Sequence, residues 1–234
     1  MPPPATSSTS SSSPPPVLTD PQDLLLRGIV SVPLDAGVWD DRVTWARRHM
    51  MTGGAHQPTA PPPMLMFAAD QAEPVYRNLL DDDDDIPLDR IRASLDSVIA
   101  SQFGVAAEEW RLDDAFAIHY QYEQERTAGA KHVDPSDLTI NLCLDATEDC
   151  VGSRVLFYGR MPLQWDGSSS KNMLLDASET CLVEQRPGVA TIHWGAHPHE
   201  TTSLERGYRT NIIMTLCFKD KSKSDVASRS CYHV

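Results

Sequence analysis

At 234 residues the chain has room for one domain with a sizeable core, and its 41% hydrophobic fraction is that of a globular protein. A formal charge of −13 offers no basic excess to a phosphate backbone, which excludes nucleic acid as the main partner. No apolar run approaches the roughly 18 residues that span a bilayer, no secretory signal or transit peptide is visible, and five Cys without a Cys-x-x-Cys argue against a disulfide framework or a structural zinc site, so a soluble, intracellular protein with no membrane partner is expected.

Residues 1–20 are rich in Pro and Ser and lack the apolar content to offset ordering, so a disordered tail is expected. Residues 21–114 read as a helical support region. Leu24, Leu25, Leu26 and Ile29 lead into Val32, and a helix is predicted from about Ala36, where Val38, Trp39, Val43, Trp45 and Ala46 approximate a 3.6-residue stripe. Arg47, Arg48 and His49 suit its C-terminal end. Residues 52–63, with Gly53-Gly54 and three consecutive Pro, are loop. The run Asp81–Asp85 reads as a solvated loop rather than a cation site, because five adjacent like charges cannot all turn inward. A second helix follows, with Pro87 in its first turn and Ile91, Leu95, Val98, Ile99 and Phe103 on one face, and it is expected to pack on a sheet.

The texture then changes to short alternating runs at 115–122, 138–144, 154–158, 181–185, 189–194 and 208–218. With no long helical segment left to carry parallel crossovers, the expectation is an antiparallel sandwich or jelly roll: mainly β with N-terminal helices, an α+β chain. Its core is 115–218, and 219–234 form a polar C-terminal tail. Nucleotide-binding glycine motifs are absent.

His132-Val133-Asp134 can set an imidazole and a carboxylate side by side on an extended segment. With 8 His and 33 acidic residues, chance alone supplies about one His-x-Asp/Glu, so the tripeptide needs corroboration. A second His from another strand, His199, would complete the two-His, one-carboxylate set that leaves one face of a non-haem Fe(II) ion open. In the run 138–144, Leu138, Ile140, Leu142 and Leu144 make an apolar face, while Thr139, Asn141 and Cys143 make a polar one suited to line a lumen. In the last strand Ile212, Met214, Leu216 and Phe218 share a face, opposite Arg209 and Asn211. An Arg starting an otherwise apolar strand is costly to bury unless it meets an anion, and its planar fork suits a carboxylate. His119 reads as a plain strand residue and Asp137 as a turn carboxylate. His193, His197 and His199 crowd together, but no His/Cys spacing elsewhere completes a zinc cluster.

Residues 115–218 resemble the catalytic domain of the Fe(II)- and 2-oxoglutarate-dependent dioxygenases, in particular the procollagen lysyl hydroxylase-like and prolyl hydroxylase-like branch. The first block that carries the likeness is His132-Val-Asp134-Pro-Ser136-Asp-Leu-Thr139-Ile-Asn141, similar to that branch's His-x-Asp-x-Ser-x-x-Thr-x-Asn. The second is His199, with Arg209 ten residues later, which resembles the family's distal His and oxoglutarate-binding Arg and selects His199 over His197. The resemblance implies a double-stranded β-helix, Fe(II) held by His132, Asp134 and His199, and 2-oxoglutarate held by Arg209. Tyr120, with Tyr122 on the same strand face as second choice, and Asn141 and Asn211 would be further cosubstrate contacts. It also implies O2 as oxidant, ascorbate as reductant, release of succinate and CO2, and hydroxylation of a protein or peptide side chain, lysyl or prolyl. The alternative within the same fold is a catalytically silent 2-oxoglutarate-binding or sensor module. A zinc hydrolase built on the same three ligands would have no use for Arg209. One departure is Gly152-Ser153, where the family commonly has Gly-Gly, and Ser resists the backbone conformation a second Gly permits.

Overall fold

Alternation of apolar and polar residues along the second half of the chain produces strands with one face for a core and one for a lumen. The computed structural model describes residues 14–35, 37, 50, 75–80, 88–124, 126–164, 174–224 and 226. In chain order these form β1 (Val17–Leu18), α1 (Pro21–Leu26), β2 (Ile29–Pro33), β3 (Val75–Asn78), α2 (Leu88–Phe103), a 3-10 turn at Ala107–Glu109, β4 (Trp110–Gln121) and β5 (Gly129–His132). There follow β6 (Leu138–Ala146), β7 (Val151–Gly152), β8 (Val155–Arg160), β9 (Leu175–Val183), β10 (Val189–Trp194), β11 (His199–Thr201), β12 (Leu204–Arg206) and β13 (Tyr208–Phe218). The helix predicted from Ala36, the loop at 52–63, the Asp81–Asp85 run and residues 1–13 of the tail expected at 1–20 lie outside the described residues, while the end of that tail is ordered: Val17–Leu18 pairs with β9 and Asp20 caps α1.

A six-stranded sheet runs β2-β10-β6-β13-β4-β3, and a five-stranded one runs β1-β9-β8-β11-β5. All pairs are antiparallel except β1 with β9. The result is mostly β and jelly-roll-like. Residues 21–114 are more than a helical support: they supply β2 and β3, the two edges of the large sheet, and the first part of β4. The sequence hides this because β2 and β3 are five and four residues long, too short for a period to declare itself.

The large sheet packs its back on α2. Ile91, Leu95, Ile99 and Phe103 meet Leu138, Ile140, Leu142, Ala190, Ile192, Ile212, Met214 and Leu216 in one buried cluster. The Phe103 and Trp194 rings meet edge-to-face at 5.2 Å. Each such aliphatic side chain contributes about 1.5–3 kcal/mol by leaving water. The front of the large sheet faces the small one, where the Phe157 ring of β8 comes within 5.0 Å of the His193 ring of β10. No helix among the described residues is long and apolar enough to cross a membrane.

Candidate metal and anion site

Two short strands that alternation does not reveal build the candidate metal centre. His132 ends β5 and His199 opens β11, and the two are direct cross-strand partners, their ring centroids 4.4 Å apart. His132 Nδ1 lies 2.7 Å from the Ala130 carbonyl and His199 Nδ1 2.9 Å from that of His197. Each Nδ1 therefore carries the proton and donates it, which leaves both Nε2 lone pairs free to coordinate.

Asp134 comes from the turn between β5 and β6. Its backbone N–H donates to the Gly195 carbonyl at 2.8 Å, while the Gly195 N–H donates to the Asp137 carbonyl at 2.9 Å. The two backbones touch: a Cβ at Gly195 would sit 2.0 Å from the Ser136 carbonyl oxygen, so only Gly fits. The Asp134 carboxylate accepts a hydrogen bond at Oδ2 from the Thr139 hydroxyl, which is itself 2.9 Å from Ser136 Oγ. Asp134 Oδ1 then lies 3.4 Å from His132 Nε2 and 3.7 Å from His199 Nε2. His132, Asp134 and His199 thus offer three donor atoms close enough to share one divalent ion.

The carboxylate and the imidazoles are electrostatically coupled, and, against the lowering effect of burial, His132 is raised by Asp134. Burial alone would raise the Asp134 carboxyl, but His199 and His132 outweigh it and hold it below the usual carboxylate range. Burial pushes His199 down to about 3, which keeps it neutral and ligating. His193, although its ring is 4.8 Å from that of His199, is outside the donor group, and its Nδ1 donates to the Trp194 carbonyl at 2.9 Å. His197 is buried, its ring 4.9 Å from that of Phe157, and serves through its backbone carbonyl.

Arg209 stands at the other end of the large sheet, beside Ala146 on β6 and Tyr120 on β4. It is 2% exposed, and its Nε and one terminal nitrogen have no hydrogen-bond partner among the described residues. Its guanidinium carbon lies 5.5 Å from the centre of the Tyr120 ring. Burial pushes its pKa below the ordinary value. Strict alternation along β6 would have aimed Asp145 into the lumen after Thr139, Asn141 and Cys143. A bulge intervenes instead: Asn211 pairs with Cys143, Thr210 with Asp145 and Arg209 with Ala146. Asp145 accepts from the Tyr208 hydroxyl at 3.0 Å. An alanine, not a carboxylate, therefore sits opposite Arg209.

Tyr120 is buried on the front of β4 with Phe116 and Ile118. Tyr122 does not share that face: β4 stops at Gln121, and Tyr122 lies in the following turn, 55% exposed. Asn141 and Asn211 are neighbours, with Asn211 Nδ2 donating to Asn141 Oδ1 and, at 3.3 Å, to Gln185 Oε1. Gln185 in turn reaches Thr191 Oγ1 at 3.4 Å. Gln185 ends the alternating run predicted at 181–185, on the face of Cys181 and Val183, but residue type alone did not single it out there. Asp137 is the turn carboxylate expected, accepting from Phe218 N at 2.9 Å and Ser224 Oγ at 3.0 Å. Ser153, in the place of a second Gly, takes the left-handed conformation after all, with φ 51° following Gly152 at φ 83°.

No family model matches the sequence, and no curated protein matches it. Solved structures do share the fold. The non-haem α-ketoglutarate-dependent epimerase SnoN of nogalamycin biosynthesis superposes with a TM-score of 0.57 at 17% identity, over 84% of this chain and 82% of its own. A 2OG-Fe(II) oxygenase-family oxidoreductase from Burkholderia pseudomallei gives 0.55 at 11% identity, over 88% and 95%. A prolyl-4-hydroxylase from Pseudomonas putida gives 0.55 at 14%, over 85% and 96%. At such identities the likeness is one of architecture, and the chain has the jelly-roll-like fold of the 2OG-Fe(II) oxygenases.

Proposed function

We propose that the chain is an Fe(II)- and 2-oxoglutarate-dependent dioxygenase that hydroxylates a C–H bond on a lysyl or prolyl side chain of a protein or peptide. The observation that carries this reading is a three-donor metal centre combined with a buried guanidinium that has no acidic partner on the strands beside it. Two imidazoles and a carboxylate fit Fe(II) and leave coordination positions open. Arg209 fits the distal carboxylate of a short dicarboxylic acid through two parallel N–H···O bonds. When bound, iron and 2-oxoglutarate supply the oxidation of a C–H bond by O2, with succinate and CO2 as co-products and ascorbate as reductant.

The chain's own residues do the holding and the shielding. His132 and His199 present Nε2 because their Nδ1 protons are engaged by backbone carbonyls. Thr139 orients the Asp134 carboxylate. Tyr120 walls the acid beside Arg209, and the linked amides of Asn141, Asn211 and Gln185 line the polar front of the large sheet. The Ser136–Thr139–Asp134 hydrogen bonds give the His132–Asn141 block a structural purpose at the metal site, while support for a peptide acceptor comes from the fold shared with the Pseudomonas putida prolyl-4-hydroxylase. The epimerase of the same fold makes the acceptor a separate question.

The test is succinate release by the purified chain given Fe(II), 2-oxoglutarate and ascorbate, against a His132→Ala control, with mass spectrometry for hydroxylated peptides in a lysate. Failure to bind both metal and 2-oxoglutarate would overturn the assignment. Succinate release without any hydroxylated peptide would confine the error to the acceptor.

A further inference from the structure

Arg209 also borders a second space. A cavity of about 160 Å³ lies where β6 ends at Ala146, β9 gives way to Glu184–Pro187 and β13 begins. This is the end of the large sheet away from Thr139, the residue bonded to Asp134. The wall carries three guanidiniums, from Arg154, Arg186 and Arg209, against a single carboxylate, Glu184. That carboxylate is divided, 3.5 Å from an Arg154 nitrogen and 3.4 Å from an Arg186 nitrogen. In a chain of formal charge −13, this is a local excess of two positive charges. Ser153 Oγ and Arg154 Nε on the wall are buried with no hydrogen-bond partner among the described residues, as are the two Arg209 nitrogens that the acid on the metal side would take. Buried polar atoms are costly to leave unpaired, so the two that the acid does not claim, Ser153 Oγ and Arg154 Nε, point to a second ligand rich in acceptors. The space is partly open to solvent and admits a small oxyanion.

We propose that this cavity is an anion subsite that takes a small oxyanion of charge two or more, held by Arg154, Arg186 and Ser153 and touching Arg209 from the side away from the metal. Its occupant opposes the acid that Arg209 holds from the metal side, because two anions then repel across one guanidinium. That coupling rests on the dioxygenase reading, whereas the subsite itself does not.

Inorganic sulfate is the probe, since it is a dianion that does not precipitate Mn(II). Calorimetric titration of the full chain with sulfate, against chloride at matched ionic strength, is expected to show one saturable site. The double substitution Arg154→Gln/Arg186→Gln weakens it by roughly tenfold or more through loss of two charge-assisted contacts. Glu184→Gln, which removes the competing carboxylate, tightens it by about threefold or more, a gain that misfolding cannot imitate. With Mn(II) bound and O2 excluded, saturating sulfate weakens 2-oxoglutarate binding in the wild type by about threefold or more, and not in the double variant. No sulfate site in the wild type, or a site unchanged by all of these substitutions, would overturn the subsite. Independent binding of the two anions would overturn the coupling. If neither form binds 2-oxoglutarate while the sulfate results hold, the dioxygenase reading falls and the subsite stands.

Discussion

Replacing Arg209 with Met gives two effects of opposite sign, and their combination tells a ligand-binding guanidinium from a structural one. Arg209 is buried, with two of its nitrogens unpartnered. The Tyr120 ring lies 5.5 Å away, a contact worth about 0.5–2 kcal/mol. Desolvating a cation costs several kcal/mol, so an apolar side chain of similar length is expected to stabilise the ligand-free fold by about 1–4 kcal/mol. At this chain length each kcal/mol moves Tm by roughly 2–4 °C. Binding moves the other way. Two charge-assisted hydrogen bonds at about 1.5–3 kcal/mol each sum to about 3–6 kcal/mol, a loss in 2-oxoglutarate affinity of roughly a hundredfold to ten-thousandfold. The assay is thermal unfolding with Mn(II) and no O2, with and without 2-oxoglutarate. Ligand at about 100 times its Kd stabilises the wild type by about 2.7 kcal/mol, and the same concentration leaves Arg209→Met unmoved. A variant that loses several kcal/mol without ligand would show that Arg209 has its partner within the fold, and the reasoning would fail. Equal ligand-induced shifts in variant and wild type would refute it as directly.

Thr139→Val removes the hydroxyl that supports the Asp134 carboxylate while keeping its shape, and Mn(II) affinity is expected to fall by about 10–100-fold in a calorimetric titration. Ile99→Ala opens a hole between α2 and the large sheet and should cost about 2–5 kcal/mol in urea unfolding, with metal affinity retained. Burial pushes the Cys143 thiol up to about 12 and those of Cys181 and Cys217 to about 11, from an ordinary value of 9.0. Because the folded-state values lie above the unfolded ones, this stabilisation is complete below pH 9 and is lost as pH climbs toward 11–12, at up to about 1.4 kcal/mol per pH unit for each thiol. Urea midpoints between pH 8 and 10.5 are expected to fall, and to fall less steeply in Cys143→Ala. An identical slope in that variant would remove Cys143 from the account.

Long periodic segments were readable before any coordinates. Five apolar residues at helical spacing gave α2, and alternation gave the directions of β6 and β13, including Thr139 and Asn141 on the front with Arg209 and Asn211. The extension of that rule to Tyr122 failed because the strand ends one residue too early. Short elements carry no period, so β2, β3, β5 and β11 stayed hidden, and with them the cross-strand pairing of His132 with His199.

By itself, then, the sequence determined which side chains were available for coordination and which strand faces they would occupy, since both follow from residue type and local period. His132-Val133-Asp134 and Arg209 were visible on those terms. Only the tertiary structure decided that Gly195 clamps the Asp134 turn, that a bulge swings Asp145 away from Arg209, and that Arg154, Arg186 and Ser153 gather behind it. These outcomes depend on backbone approach and register between segments distant in sequence, and neither quantity is set by the residues of one segment alone.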